Sequence, residues 1–360
     1  MTIYILPTGP NQLPKEYFEG KGMSFRPYDG GSPNMLFWNE FYRECEKRGI
    51  KILSYTEWRK TDSNQKDALL VLNHPSETLI WRIFYSLKHR SDGGGFVLKR
   101  RKFFIENHPF FKRRILIQLE PFVVTPHFYK HLGKIANSGF YDKIFCTTRI
   151  GKFGVEYFNF FESRTKDITS SYFNAPKTKY LTIINSNARP HSLRNELYGE
   201  RLKAIKFFSA IKGFDLYGFD WDKTPRHPFY FHYGKYVRRS WRGQIPDKLK
   251  VMSEYKFSIV FENDINPGWI SEKIFDALAA GSIPVYLGAP DIEKAVPSDC
   301  FIDFRKFGDY QKLHDFLMSL SEREISAYRE RISKFLRFSH DSRAMEKFVD
   351  MATENDIVIR

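Results

Sequence analysis

The chain has 360 residues, 42% apolar and 17% aromatic, with 57 Lys and Arg against 42 Asp and Glu for a formal net charge of +15. That length exceeds one usual core, so two domains are expected, and the apolar fraction argues against disorder. No segment approaches the ~18 uninterrupted apolar residues of a transmembrane helix, and the charge suits a nucleic acid, an anionic membrane surface or a phosphorylated substrate.

In chain order, the opening Met1-Thr-Ile-Tyr-Ile-Leu-Pro-Thr reads as a first β-strand, not as the basic and apolar regions of a secretory signal. Apolar runs predict strands at 2–6, 51–54, 68–72, 115–119 and 143–146, with helices at 39–48 and 78–88 between them. The stretch 86–114 mixes Lys, Arg and Phe. It reads as an amphipathic surface element with aromatics packed inward or, more sharply, as a contact for membrane phospholipid or a lipid-linked acceptor. Cys45, Cys146 and Cys300 are far apart without metal-type spacing, which predicts reduced thiols and a cytoplasmic protein, with Cys146 and Cys300 in the core.

The polar stretch 166–179 reads as a linker. It sets an N-terminal domain at 1–170, a second domain at 171–340, and a C-terminal helix and tail at 341–360. Strands follow near 180–185, 214–218, 257–261, 283–287 and 301–304, with helices at 202–211, 321–338 and 341–352. Between them lie an aromatic stretch, 225–233, and a basic loop, 235–242. Alternating strands and helices predict an α/β chain with parallel sheets covered on both faces.

The most informative segment is 255–290. It reads as a buried strand ending in Phe261-Glu-Asn263, a loop, a helix opening on Glu272-Lys273 and closed by Gly281, and a second buried strand ending in Gly-Ala-Pro290. Such a βαβ unit turns a helix N-terminus toward one sheet edge, where unpaired N–H groups attract anions. Glu272 suits that position. Lys273 opposes the helix dipole by roughly 0.3–1 kcal/mol, a conflict that a bound pyrophosphate removes, unless the lysine is simply exposed.

Phe261-Glu-Asn263, eight residues, then Glu272-Lys273 resembles the signature of glycosyltransferase family 10, the α-1,3-fucosyltransferase family. The lead-in Asp247–Phe257 and the stretches Gly281–Pro290 and Pro297–Asp303 also fit, giving a match of roughly fifty residues with several fixed spacings. The resemblance implies a GT-B glycosyltransferase, two Rossmann-like domains facing a cleft, with GDP-L-fucose as donor. It implies that Lys273 contacts the donor pyrophosphate, that Glu272 helps hold the ribose, and that Asn263 and Trp269 line the donor pocket. Trp269 and Gly268 depart from the family's usual Tyr and Asp. Glu200-Arg-Leu-Lys resembles the family's Arg-led helix, which makes Arg201 the phosphate-binding arginine, with Arg194 as fallback. Asn185-Ser-Asn187 resembles the family's polar turn.

An inverting transfer needs a base beside the acceptor hydroxyl. Glu120 ends the strand Ile115-Leu-Ile-Gln-Leu-Glu-Pro121, and the resemblance implies a catalytic Glu at such a place; a cap or an ion pair to Arg113 or Arg114 is the plainer reading. Asp220-Trp-Asp222 could hold a divalent ion but reads better as a solvent-facing loop. No obligatory metal is expected, and a divalent ion would at most stimulate transfer. The expectation is an inverting, cytoplasmic enzyme, peripheral at the inner face of a membrane. It would move L-fucose, α-1,3-linked, to a glycan acceptor of cell-surface polysaccharide or lipopolysaccharide that could be lipid-linked, with contact to anionic membrane and no nucleic-acid partner. The alternatives are another GDP-deoxyhexose donor on the same fold, or a basic nucleic-acid- or glycan-binding protein without catalysis.

Overall fold

The computed structural model describes residues 1–7, 33–60, 67–75, 93–159, 172–338 and 344–353. The expected helix 78–88 and the first part of the expected linker lie outside them. Among the described residues, 35–60, 67–75, 93–159, the first strand and 344–353 form one compact unit, and 172–338 form the other.

The first unit is a parallel sheet of β1 (Thr2–Leu6), β2 (Lys51–Ser54), β3 (Ala68–Leu72), β4 (Arg113–Gln118), β5 (Lys143–Cys146) and β6 (Val155–Tyr157), in the order β2-β1-β3-β4-β5-β6. Strand side chains alternate between faces. Ile3, Ile5, Leu70, Leu72, Ile115 and Ile117 enter one core with Phe41, Phe348 and Val349. Tyr4, Leu6, Leu69, Val71 and Leu116 enter another with Phe104, Phe128 and Leu132. Each such apolar side chain, fully buried, contributes about 1.5–3 kcal/mol. Helices Pro33–Lys47 and Ala344–Thr353 therefore cover one face, and Gly93–Asn107 and Pro126–Ala136 the other. The C-terminal helix, set apart in the sequence reading, is part of this first core.

The second unit is also parallel throughout. Its strands are β7 (Lys179–Ile184), β8 (Phe214–Tyr217), β9 (Tyr255–Phe261), β10 (Ile283–Leu287) and β11 (Ile302–Asp303), in the order β11-β10-β9-β7-β8. The chain leaves β7 toward β8 and returns on the other side at β9. Strand order thus reverses between β7 and β9, and in doubly wound sheets the carboxyl ends of such strands form the ligand crevice.

Several bounds differ from expectation. The strand expected at 115–119 runs Arg113–Gln118, and only Ile302–Asp303 of 301–304 pairs. The helix expected at 39–48 begins at Pro33, and the one at 202–211 is Tyr198–Phe208. The basic loop 235–242 is largely helical, over Gly234–Ser240, because Val237 and Ser240 turn into the core. All three cysteines are buried thiols.

The crevice floor depends on close backbone contact. Gly218, just past β8, has φ +133°, and a Cβ there would lie 1.9 Å from the Asn185 carbonyl oxygen at the end of β7. That same oxygen accepts the Trp221 indole N–H at 2.6 Å. Gly218→Ala should therefore cost at least about 2 kcal/mol through steric and backbone strain, measured as a lowered denaturation midpoint of the full chain.

Candidate functional site

The site begins where β9 ends. Glu262 is fully buried, and its N–H donates to Leu287 O at 2.8 Å, continuing the ladder to β10. Its carboxylate accepts the Ser271 N–H at 2.7 Å and the Ser271 hydroxyl at 2.6 Å. Lys273 Nζ stands 3.4 Å from the same carboxylate, 2.8 Å from Ser271 Oγ and 3.5 Å from Glu272 Oε1. Room for Glu262 exists because residue 288 is glycine. A Cβ at Gly288 would sit 2.5 Å from Glu262 Cγ and 2.6 Å from Tyr286 Oη.

The helix Glu272–Ala279 buries Ile274, Phe275, Ala277 and Leu278. It closes as the sequence predicts, on Gly281 with φ +67°. Gly281 N–H donates to Leu278 O and Ser282 N–H to Ala277 O, the paired bonds of a Schellman ending. Lys177 Nζ donates to Ala280 O at 2.9 Å, and Lys248 pairs with the buried Asp276 at 2.8 Å. Both fix the helix from its rear. At the front, Ser271 holds the cap position, yet its hydroxyl is turned to Glu262 and makes no cap bond. Ser271 therefore gives the first turn no side-chain cap, an arrangement suited to an anion.

Arg201 joins this cluster from helix Tyr198–Phe208. It is 4% exposed, and burial pulls its guanidinium below the ordinary arginine range, with Tyr198, Glu262, Glu272 and Glu196 acting in the opposite direction. Nε and Nη2 donate to the Phe261 carbonyl at 3.1 and 2.7 Å, and Nη2 donates to Asn263 Oδ1 at 2.7 Å. Arg201 thus ties its helix to the end of β9, leaving Nη1 without a hydrogen bond among the described residues. Arg194 is exposed and lies in the loop before that helix.

Arg201, Asn263, Glu272 and Lys273 are brought together. Trp269 stands in the same loop but is 3% exposed, so little of its ring could stack on a ligand. The neighbouring Gly268 has φ +76° and donates its N–H to Asp291 Oδ1 at 2.7 Å. An Asp side chain there would be strained, which accounts for the glycine. Asn187 fastens the loop after β8, donating to Asp220 O and Thr224 O at 2.9 Å and accepting the Arg226 N–H at 2.8 Å. In Asp220-Trp-Asp222, Asp220 pairs with Lys223 at 2.6 Å and Arg226 at 3.0 Å, while Trp221 is buried.

Glu120 belongs to the first unit, just beyond β4 at the carboxyl edge. It is partly exposed, and its backbone is held firmly. The N–H donates to Asn73 Oδ1 at 3.3 Å, and the carbonyl accepts from Tyr129 Oη at 2.9 Å and Gln118 Nε2 at 3.3 Å. Arg114 is engaged with Asp142 instead, at 2.6 Å.

Sequence reasoning missed the organising roles of Glu262 and Ser271, although Glu262 stands inside the Phe-Glu-Asn run. It also missed Glu196 and His227. Glu196 accepts the Gly199 N–H at 2.9 Å, and its other oxygen meets His227 Nε2 at 3.0 Å. The Phe229 N–H donates to His227 Nδ1 at 3.2 Å, so His227 carries its proton on Nε2 and gives it to Glu196. No spacing pattern in the sequence marks that pair.

Comparison with known proteins finds similar chains. Residues 174–348 match the family model described as glycosyltransferase family 10 (fucosyltransferase) C-term. An alpha-(1,4)-fucosyltransferase of Arabidopsis thaliana is 39% identical over 79 residues, 22% of this chain and 20% of its own. The 4-galactosyl-N-acetylglucosaminide 3-alpha-L-fucosyltransferase 9 of Mus musculus is 29% identical over 153 residues, 42% of this chain and 36% of its own. The first curated relatives are matched over about a fifth of their own length. Among solved structures, an alpha-glucosyltransferase in complex with UDP and a 13-mer DNA containing a central A:G mismatch is similar, with TM-score 0.56 and 13% identity, over 98% of each chain. That likeness shows the fold, GT-B with parallel α/β sheets.

Removing the Glu262 carboxylate should strand the Ser271 N–H and the Lys273 ammonium. Glu262→Ala should destabilise the protein by about 3 kcal/mol, read as a fall in the chemical denaturation midpoint. A change below a few tenths of that would show the carboxylate is not the organising group.

Proposed function

From the match of residues 174–348 to the model described as glycosyltransferase family 10 (fucosyltransferase) C-term, we propose that this chain is an inverting fucosyltransferase. It moves L-fucose from GDP-L-fucose to a hydroxyl of a glycan acceptor, α-1,3-linked, in synthesis of cell-surface polysaccharide or lipopolysaccharide at the cytoplasmic side of a membrane. The observation that carries this reading is the uncapped N-terminus of helix Glu272–Ala279 beside Lys273, at the point where strand order reverses.

The chemistry follows from those groups. The first-turn N–H groups and Lys273 hold the donor pyrophosphate, and Arg201 reaches it through Nη1. Glu272 takes the ribose hydroxyls, with Asn263 fixed beside them by Arg201. Glu120 accepts the proton of the acceptor hydroxyl as that oxygen attacks the anomeric carbon. The bond from that carbon to the β-phosphate oxygen breaks, and the electron pair leaves with GDP. Charge gathers on the departing diphosphate, where preorganised donors act most strongly. No step in this scheme requires a metal ion.

Three outcomes are expected. Calorimetric titration should show GDP and GDP-fucose binding in preference to UDP, with Lys273→Ala weakening GDP by about 10- to 100-fold. Equal affinity for UDP, or none for any nucleotide, would overturn the assignment. Glu120→Gln should keep the GDP affinity while lowering transfer by about 100- to 10,000-fold. Transfer to a glycan acceptor should persist in the presence of a chelator.

A further inference from the structure

The exposed aromatic and basic side chains of the stretch 225–242 are not among the donor-site residues. Phe229 and Phe231, at 62% and 59%, are the most exposed phenylalanines among the described residues. They stand on an ordered base. Tyr233 and Val237 are buried, the Tyr233 N–H donates to Tyr230 O at 3.0 Å, and His227 beneath them is fixed to Glu196.

Beside the two rings runs the helix Gly234–Ser240. Val237 and Ser240 face the core, so Lys235, Arg238 and Arg239 share the solvent side at helical spacing. Lys206, from helix Tyr198–Phe208, adds its ammonium 5.0 Å from the Tyr233 ring and 5.9 Å from Tyr236. Among the described residues these four cations make no ion pair. The acidic groups nearby are engaged elsewhere: Asp220 with Lys223 and Arg226, Asp215 with Arg242, and Glu200 with Lys203.

We propose that this surface, Phe229 and Phe231 with Lys206, Lys235, Arg238 and Arg239, docks the protein on a bilayer containing anionic phospholipid. The chemistry is complementary on both counts. Unpaired cations are drawn to the negative surface potential, and rings without a polar group gain by entering the boundary between headgroups and acyl chains. A solvated basic face has no use for exposed phenylalanine. A nucleic acid would satisfy the cations as well, but the apolar rings favour the bilayer.

The test is co-sedimentation of the full chain with vesicles of phosphatidylcholine alone or mixed with phosphatidylglycerol, each with and without added salt. The wild type should sediment with the mixed vesicles only, and less so in high salt. Replacing Lys235, Arg238 and Arg239 together by Gln should lower that partitioning about 100-fold. The pair Phe229→Ser and Phe231→Ser should lower it several-fold while leaving its salt dependence intact. Both variants should keep the wild-type GDP affinity, which also separates this proposal from the donor-site reading. Equal binding to phosphatidylcholine alone, variants that sediment like the wild type, competition by single-stranded RNA in place of vesicle binding, or loss of GDP binding in both variants would each overturn it.

Discussion

The carboxyl edge of the second sheet depends on one buried carboxylate. Left alone, a fully desolvated Glu262 would cost several kcal/mol or give up its charge. It is compensated by a backbone N–H, a hydroxyl and an ammonium, two of the three from Ser271. Meeting that demand has consequences along the chain. It draws Ser271 away from capping its own helix. It draws Lys273 back toward the strand end. It also forbids a side chain at position 288. The candidate site and the packing of β9 against β10 therefore depend on the same carboxylate.

Much of this fold is legible in the sequence for a simple reason. Strands buried on both faces are short unbroken apolar runs, so β1, β2, β3, β5 and β10 carry the expected bounds. Gly281 was legible because a left-handed ending has a residue of its own. The start of helix Tyr198–Phe208 was not. Its cap position is Leu197, without a side-chain bond, and the Gly199 N–H is met by Glu196, a residue held in turn by His227. The Leu197 N–H goes to Asn263 O, across the crevice floor. Tertiary contacts replaced the local signal. Helix Gly234–Ser240 was hidden differently: with Val237 and Ser240 alone turned inward, it has too few buried positions to show a period.

Residue type and residue role also part company within the site. The resemblance makes Arg201 a phosphate ligand, but its Nε and Nη2 serve the Phe261 carbonyl and Asn263. That use is structural, yet it aims the helix and holds Asn263 at the crevice. The resemblance implies that Trp269 lines the donor pocket, yet its side chain lies almost wholly inside. In the first unit, Glu120 illustrates the converse. Sequence places it at a strand end, and the structure adds the reason it stays there: Asn73, Gln118 and Tyr129 bind its backbone.

The formal charge of +15 suggests a site that draws anions by its field. The cluster itself says otherwise. Arg201 and Lys273 are balanced by Glu262 and Glu272, and the nearest contacts of Lys273 are with that acidic pair and the hydroxyl between them. A cation in the first turn would oppose the helix dipole, but here resident carboxylates already offset it before any ligand arrives. On the proposed reading, attraction for a diphosphate comes from short-range donors, the helix N-terminus that Ser271 does not cap and the Lys273 hydrogens that its long ion pairs leave weakly used. Such bonds act inside hydrogen-bonding distance and are little weakened by salt, whereas a field from surface lysines is screened within about 8 Å. On the proposed reading the excess positive charge is surplus to the donor site, and its place on the surface is a separate matter from the chemistry of the crevice.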